Sequence, residues 1–255
     1  MELQDHLDGF ERNGIQVYAI SYDPVETLAK FAERFHITYP LLSDPDSATI
    51  RKFGILNANM PEGHPWRGVP YPGTFMVDEQ GRVIERSFYA NHAVRDSVAR
   101  MLQETFRVAD AQRGEVQTVK ASPLSVTAYL SSGTVRGGQV LTFTVEVEIE
   151  QGWHIYGRPL PEGYVPTTLT FEEVEGVAFG EVDYPAPRPY RFEALGETLH
   201  AYEGRIVLKA SVLNRRREGF VVKAHLRYQA CDDRECLPPQ EMGVELPLKY
   251  LDNVK

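Results

Sequence analysis

Cysteine is scarce in this chain: it has two among 255 residues, Cys231 and Cys236, five positions apart. That scarcity excludes a scaffold stapled by several disulfides and any metal site built from four thiolates. It also confines thiol chemistry to one short stretch, because no cysteine precedes Cys231. Basic charge is in deficit, with 27 Lys and Arg against 36 Asp and Glu and no basic run longer than Arg215-Arg216-Arg217. A net charge of −9 offers nothing to a phosphate backbone, so no nucleic acid partner is expected. Long apolar runs are missing too. No stretch approaches the roughly 18 to 20 apolar residues that span a bilayer, and the opening "MELQDHLDGF" has neither the basic start nor the apolar middle of a secretory signal. The sequence holds no Gly-x-Ser-x-Gly, His-Glu-x-x-His or Gly-rich phosphate loop, and its acidic runs "SDPDS" and "FEEVEGVAFGEVD" lack the alternating oxygen spacing of a calcium loop. No cofactor and no metal are expected.

What is present suffices for two cores. Hydrophobic residues make up 42% of the chain, with 13 Tyr and 12 Phe, and its length exceeds the usual domain of about 100 to 200 residues. The first hundred residues alternate helix and strand. Leu3, Leu7 and Phe10 share a helical face that ends at Asn13-Gly14, and "IQVYAIS" is a short strand. Asp23 then serves as N-cap, with Pro24 at the first helical position, for a helix carrying Val25, Leu28, Ala29, Ala32 and Phe35. "YPLLSD" and "DSATIRKFGI" read as an extended piece and a short helix. "TFMVDEQGRVIERSFY" reads as a hairpin turning at Asp78-Glu79-Gln80-Gly81, and Asn91 caps a last helix with Val94, Val98, Met101, Leu102 and Phe106.

After about Ala109 helical periodicity stops. Short alternating runs take over ("LSVTAYL", "VLTFTVEVEI", "TTLTF", "RIVLKASVL", "FVVKAHLRY", "GVELPLKY"), punctuated by Gly and Pro, which predicts an antiparallel β-sandwich. The expected organisation is a first domain over 1–108, a linker over 109–122 and a second domain over 123–255.

The cysteines lie in "YQACDDRECLPPQE", residues 228–241. Five steps of a straight strand would hold their Cα atoms about 16 Å apart, whereas a disulfide needs roughly 4.4 to 6.8 Å, so pairing requires a turn. "DDRE" is a suitable turn tetrad, and Pro238-Pro239 suits an exposed edge. Three uses stay open. A structural staple closing so small a loop contributes about 2 kcal/mol. A zinc clip lacks ligands, since the nearest histidine, His225, has no Cys or His at ligand spacing. A redox dithiol would be shaped by Asp232, Asp233 and Glu235, which disfavour a thiolate, so the pair is expected to serve better as the disulfide attacked than as the attacker.

That segment, with "GWHIYG" at 152–157 and "VPTTLTF" at 165–171, resembles the amino-terminal domain of DsbD-type thiol:disulfide interchange proteins over roughly residues 123–250. The resemblance implies an immunoglobulin-like fold in the bacterial periplasm or another oxidising space. It implies that Cys231 and Cys236 pass reducing equivalents to or from a partner protein, a thioredoxin-like domain being one candidate, with Cys236 the site of the mixed disulfide. It also implies a cap over the pair, for which "PYRFEALGET" offers Tyr190, Phe192 and Glu193. Trp153, His154 and Tyr156 read as sandwich-edge packing.

"VYAISYDPVETLAKFAERFHITYPLLSD" and "YPGTFMVDEQGRVIERSF" resemble the redoxin branch of the thioredoxin fold, the alkyl hydroperoxide reductase and thiol-specific antioxidant group. Pro72 matches the proline that such folds hold cis beside the active site. That group carries its nucleophilic cysteine between the first strand and first helix, and here neither that strand nor a cysteine is found. The expectation is an α/β thioredoxin-like domain lacking its first strand through amino-terminal truncation, followed by an all-β immunoglobulin-like domain. The functional expectation is thiol-disulfide exchange through Cys231–Cys236. Its alternatives are a docking module with a structural disulfide and a truncated peroxiredoxin-type antioxidant protein.

Overall fold

The computed structural model describes residues 2–108, 113–192 and 196–252, which fall into two compact units, 2–108 and 113–252. The first unit is α/β. It contains α1 (Glu2–Asp5), α2 (Leu7–Arg12), β1 (Ala19–Ser21), α3 (Val25–Phe35), β2 (Leu41–Ser43), α4 (Ala48–Lys52), β3 (Gly73–Val77), β4 (Val83–Phe88), the two-residue β5 (Arg95–Asp96) and α5 (Val98–Glu104). β1 and β2 pair in parallel, Ala19 opposite Leu41, while β3 and β4 form a separate antiparallel hairpin. The hairpin turn is the one expected at Asp78 to Gly81. The Asp78 carboxylate accepts from the backbone N–H groups of Gln80 and Arg82, and Gly81 supplies the positive φ of 76°.

Local competition moves two helix starts. α3 begins one residue late because the Asp23 carboxylate accepts from the Ser21 hydroxyl, leaving the Pro24 carbonyl to take the first helical N–H groups, those of Thr27 and Leu28. α5 starts at Ser97 rather than after Asn91. The Asn91 side chain accepts from Ala93 N–H in a turn, residues 95–96 are extended, and Ser97 Oγ then accepts from Arg100 N–H as the true cap. A third expectation is corrected outright: Tyr71–Pro72 is trans, the cis bonds among the described residues being Ser122–Pro123 and Arg158–Pro159. The chain runs from the Leu56–Pro70 bridge straight into β3, with no tight turn there for a cis bond to fit.

The second unit is an immunoglobulin-like sandwich. Its strands are β6 (Val116–Ala121), β7 (Leu124–Leu130), β8 (Thr134–Val135), β9 (Gln139–Ile149), β10 (His154–Tyr156), β11 (Thr168–Phe171), β12 (Val177–Phe179), β13 (Arg188–Phe192), β14 (Glu197–Tyr202), β15 (Arg205–Asn214), β16 (Phe220–Tyr228), β17 (Ala230–Cys231) and β18 (Gln240–Tyr250). One layer runs β12-β15-β9-β7-β6 and the facing layer β11-β16-β18-β8. The alternation read from the sequence supplies the core: Phe143, Val145 and Val147 of β9, Leu208 and Val212 of β15, Val222, Ala224 and Leu226 of β16, and Val244 and Leu246 of β18 are all buried in it. Burying each of the larger of these side chains contributes roughly 1.5 to 3 kcal/mol.

The expected linker is corrected in part, because Val116–Ala121 form an edge strand paired with β7, its half-buried Val119 and Ala121 packed on the core. Polar Gln117 hid that alternation from the sequence reading. Its side-chain Oε1 accepts from Glu245 N–H at 2.6 Å, tying β6 to β18 in the other layer. A third, small sheet, β13-β14-β10-β17, carries the cysteines at its edge. Among the described residues, no helix is long and apolar enough to cross a membrane.

Candidate functional site around Cys231 and Cys236

Cys231 and Cys236 are bonded, their Cα atoms 4.1 Å apart. The turn that pairing required is Asp232 to Glu235, flanked by two ladder bonds, Asp232 N–H to Glu235 O at 2.9 Å and Leu237 N–H to Ala230 O at 2.8 Å. The cysteines therefore occupy a non-hydrogen-bonded antiparallel pair, the position where facing side chains lie closest. The Asp232 carboxylate fixes the turn from within by accepting from Glu235 N–H and Arg234 N–H. Those two bonds, that to Glu235 first, hold its carboxyl below the usual aspartate range. Gln229 braces the arms: its Nε2 donates to Leu237 O, and its Oε1 accepts from Val165 N–H.

Strand parity decides what meets the sulfurs. His154 lies opposite Cys231, and Tyr156 opposite Ala201 of β14, while Tyr190 and Phe192 of β13 lie opposite Leu199 and Glu197. All of these project from one face of the small sheet. Ile155, Ala230 and Tyr202 project from the other, into the sandwich core. The site face is an apolar cluster of Tyr156, Phe192, Leu199, Ala201 and Cys231, with Tyr190 packed against it.

The two sulfurs are not equivalent. Cys231 is 0% exposed, whereas Cys236 sits on the exposed rim beside Pro238 and Pro239. Tyr156 Oη lies 3.0 Å from Cys231 Sγ and 3.5 Å from Cys236 Sγ. A disulfide carries no S–H, so the tyrosine hydroxyl is the donor. Burial, with smaller contributions from Tyr164 and Glu197, pushes the Tyr156 hydroxyl up to about 12, so it keeps its proton across the neutral range.

Of the predicted cap residues, Phe192 is 1% exposed and rests on Tyr156, ring centroids 5.5 Å apart. Tyr190 lies further out. Its hydroxyl donates to Asp233 Oδ1 at 2.9 Å, and its ring stacks on His154 at 3.6 Å. Glu193 lies outside the described residues. Pro72 belongs to the first unit.

The sequence reads Tyr156 and His154 as packing and so misses Tyr156, whose hydroxyl lies 3.0 Å from Cys231 Sγ. The signal available was the alternation of "HIY", which puts His154 and Tyr156 on one face, but nothing local says which strand lies alongside. His225, the histidine nearest in sequence, instead faces Glu172 and Glu241. Among the described residues, no group of three or more His, Cys, Asp and Glu side chains could hold a metal ion.

Comparison with known proteins matches a different family within each unit. Residues 1–86 match the AhpC/TSA family, and residues 124–247 match the family described as thiol:disulfide interchange protein DsbD, N-terminal. Peroxiredoxin Bcp of Escherichia coli K12 is 31% identical over 81 residues, 32% of this chain and 51% of its own length. Alkyl hydroperoxide reductase E of Mycobacterium bovis is 35% identical over 82 residues, 31% of this chain and 49% of its own. The chain thus spans about half the length of the curated relatives it matches. Among solved structures, it is similar to the N-terminal periplasmic domain of ScsB from Proteus mirabilis (TM-score 0.38, 17% identity, covering 55% of this chain and 52% of that one). It is also similar to the reduced N-terminal domain of DsbD from Neisseria meningitidis (TM-score 0.30, 16% identity, covering 42% of this chain and 77% of that one). Both matched families are thiol-redox families.

Proposed function

We propose that this chain, an AhpC/TSA-type unit joined to a DsbD-type amino-terminal domain, exchanges its Cys231–Cys236 disulfide with the dithiol of a partner protein. A thioredoxin-like domain in an oxidising compartment such as the periplasm is the partner class that the family match favours. The observation that carries the reading is the asymmetry of the pair: one sulfur on the rim, the other buried with a tyrosine hydroxyl bonded to it.

The chemistry follows from that asymmetry. A partner thiolate attacks Cys236 Sγ, the S–S bond breaks, and the electron pair leaves on Cys231 Sγ. A thiolate shed into an apolar wall needs a donor, and Tyr156 Oη is already in place at 3.0 Å. The partner's second thiol then attacks the mixed disulfide, releasing Cys236. Two electrons and two protons have then passed to the pair, and the partner is left as a disulfide. Donation runs the same steps backwards. The first unit has no cysteine, so as given it contributes no thiol chemistry of its own.

The test is to replace Cys231 with Ser, which leaves Cys236 able to form the mixed disulfide but removes its resolving partner. Incubation with a dithiol protein oxidised at its own active site is expected to accumulate a covalent complex, resolved by mass spectrometry, whereas Cys236→Ser accumulates none. A wild-type reduction potential between about −300 and −120 mV fits the exchange role. A potential well below that range, with both variants inert, would leave a structural staple and shift the function to docking.

A further inference from the structure

We infer that the acidic turn between the cysteines selects the attacking thiol by charge. Asp233 and Glu235 are specificity-determining residues, and the dithiol partner that fits this site carries Lys or Arg side chains around its reactive cysteine. This deepens the exchange reading above and rests on it.

The reacting atom fixes where charge matters. Cys236 is exposed and Cys231 is not, so a thiolate reaches the pair from the solvent side of Cys236, opposite the buried sulfur that leaves. Asp233, Arg234 and Glu235, which precede Cys236, are exposed with it, and on its other side Pro238 and Pro239 bring no charge. Asp232 adds a carboxylate that its bonds from Glu235 N–H and Arg234 N–H keep ionised. The Tyr190 hydroxyl, a neutral donor, bonds Asp233 Oδ1 at 2.9 Å without cancelling its charge. The turn therefore sets three carboxylates against one guanidinium next to the sulfur that is attacked. Elsewhere on this face of the small sheet, Arg188 lies opposite Ala201 and lines a groove that also contains Glu150 and Glu203. Arg191 alternates with Tyr190 and Phe192 and so falls on the opposite face.

An attacking thiolate is itself an anion, and this rim repels it. The repulsion depends on what else the thiol carries. An acidic thiol meets it in full, while a cation beside the sulfur offsets it and favours docking. Charge of this kind acts mainly on the rate of encounter, and salt screens it. The turn thus leaves the disulfide open to a partner with a basic rim and slow towards small acidic thiols in bulk.

Three dithiols that differ only at the end remote from sulfur make the test: dihydrolipoate, dihydrolipoamide and the aminoethyl amide of dihydrolipoic acid, whose ends are anionic, neutral and cationic. Each closes to its cyclic disulfide while Cys231 and Cys236 of the full chain become thiols, so electrons and protons balance. At about 10 mM salt, where charges are felt over about 30 Å, the cationic dithiol should reduce the chain about tenfold faster than the anionic one. At about 1 M salt, where that distance is about 3 Å, the three rates should converge. Asp233→Asn combined with Glu235→Gln keeps side-chain size and an accepting oxygen at each position, and should bring the low-salt spread down to about twofold. Arg234→Gln should widen it. Low-salt rates that ignore charge overturn the selection, and so does a spread undiminished in the double variant, which would trace the preference to the net charge of −9. Failure of all three dithiols to reduce wild type would instead overturn the exchange reading.

Discussion

The two units handle their apolar side chains in opposite ways. In the sandwich, alternate residues of β9, β15, β16 and β18 meet in one core, where Phe143, Val145, Leu208 and Val222 are fully buried. In the α/β unit, the clustered buried residues form two smaller groups, one around Phe10 and Leu102 and one around Leu7, Ile37 and Tyr39, with the half-buried Leu3 and Val17 packed against both. α3 is amphipathic but has no buried residue, and Ile20 and Leu42 of the parallel pair are 38% and 46% exposed. Parallel sheets are ordinarily covered on both faces. The difference teaches that the cysteine site rests on the unit with the larger continuous core.

The contrast can be broken most directly by substitution in each unit. Phe143→Ala should destabilise the sandwich by about 3 to 5 kcal/mol, because a fully buried ring leaves a cavity, whereas Phe31→Ala, at a position 41% exposed, should stay within about 0.5 kcal/mol. Chemical unfolding followed by tryptophan fluorescence and circular dichroism would measure both, and equal losses would erase the comparison. The site supplies the next effect. Tyr156→Phe removes the donor to Cys231 and should slow exchange about tenfold, since hydrogen bonds to charged groups contribute roughly 1.5 to 3 kcal/mol. With its hydroxyl pushed up to about 12, the ratio of wild-type to variant rates should be flat from about pH 6 to 9. A ratio that falls within that range would mean that another group supplies the proton.

The smallest effect sets the two units side by side again, because each uses an aspartate to cap a turn. Asp78 is lowered chiefly by Arg82 N–H and Asp232 chiefly by Glu235 N–H. A carboxyl lowered in the folded state stabilises fully above its unfolded value of about 4, and that contribution disappears as pH falls through the lower folded value. Asp78→Asn and Asp232→Asn should each remove part of the acid-side loss of thermal stability, read as a shallower decline in melting temperature below about pH 4. Only the Asp232 variant should also alter exchange, since its turn carries the cysteines.

Much of the fold is local and was legible. The hairpin at Asp78 to Gly81, the period-two runs of the sandwich and the turn between the cysteines all follow from short-range chemistry. The start of α5 was less so, because Asn91 and Ser97 are both competent caps and extension at residues 95–96 chose between them. Val116–Ala121 escaped notice because polar residues interrupt its alternation. At the site, the cysteines and the aromatics Tyr190 and Phe192 could be named from sequence, while Tyr156 and His154 passed for packing.

The sequence by itself determined where thiol chemistry can occur, since it holds two cysteines and a turn that lets them pair, and where the long strands of the sandwich lie, since alternation and turn residues are properties of neighbours along the chain. Only the tertiary structure decided which sulfur is exposed and that a tyrosine 75 residues away donates to the other. The reason is register: β10 meets β17 across six intervening strands of the chain, and sliding that pairing by one residue would turn His154 and Tyr156 into the core and Ile155 onto the sulfurs.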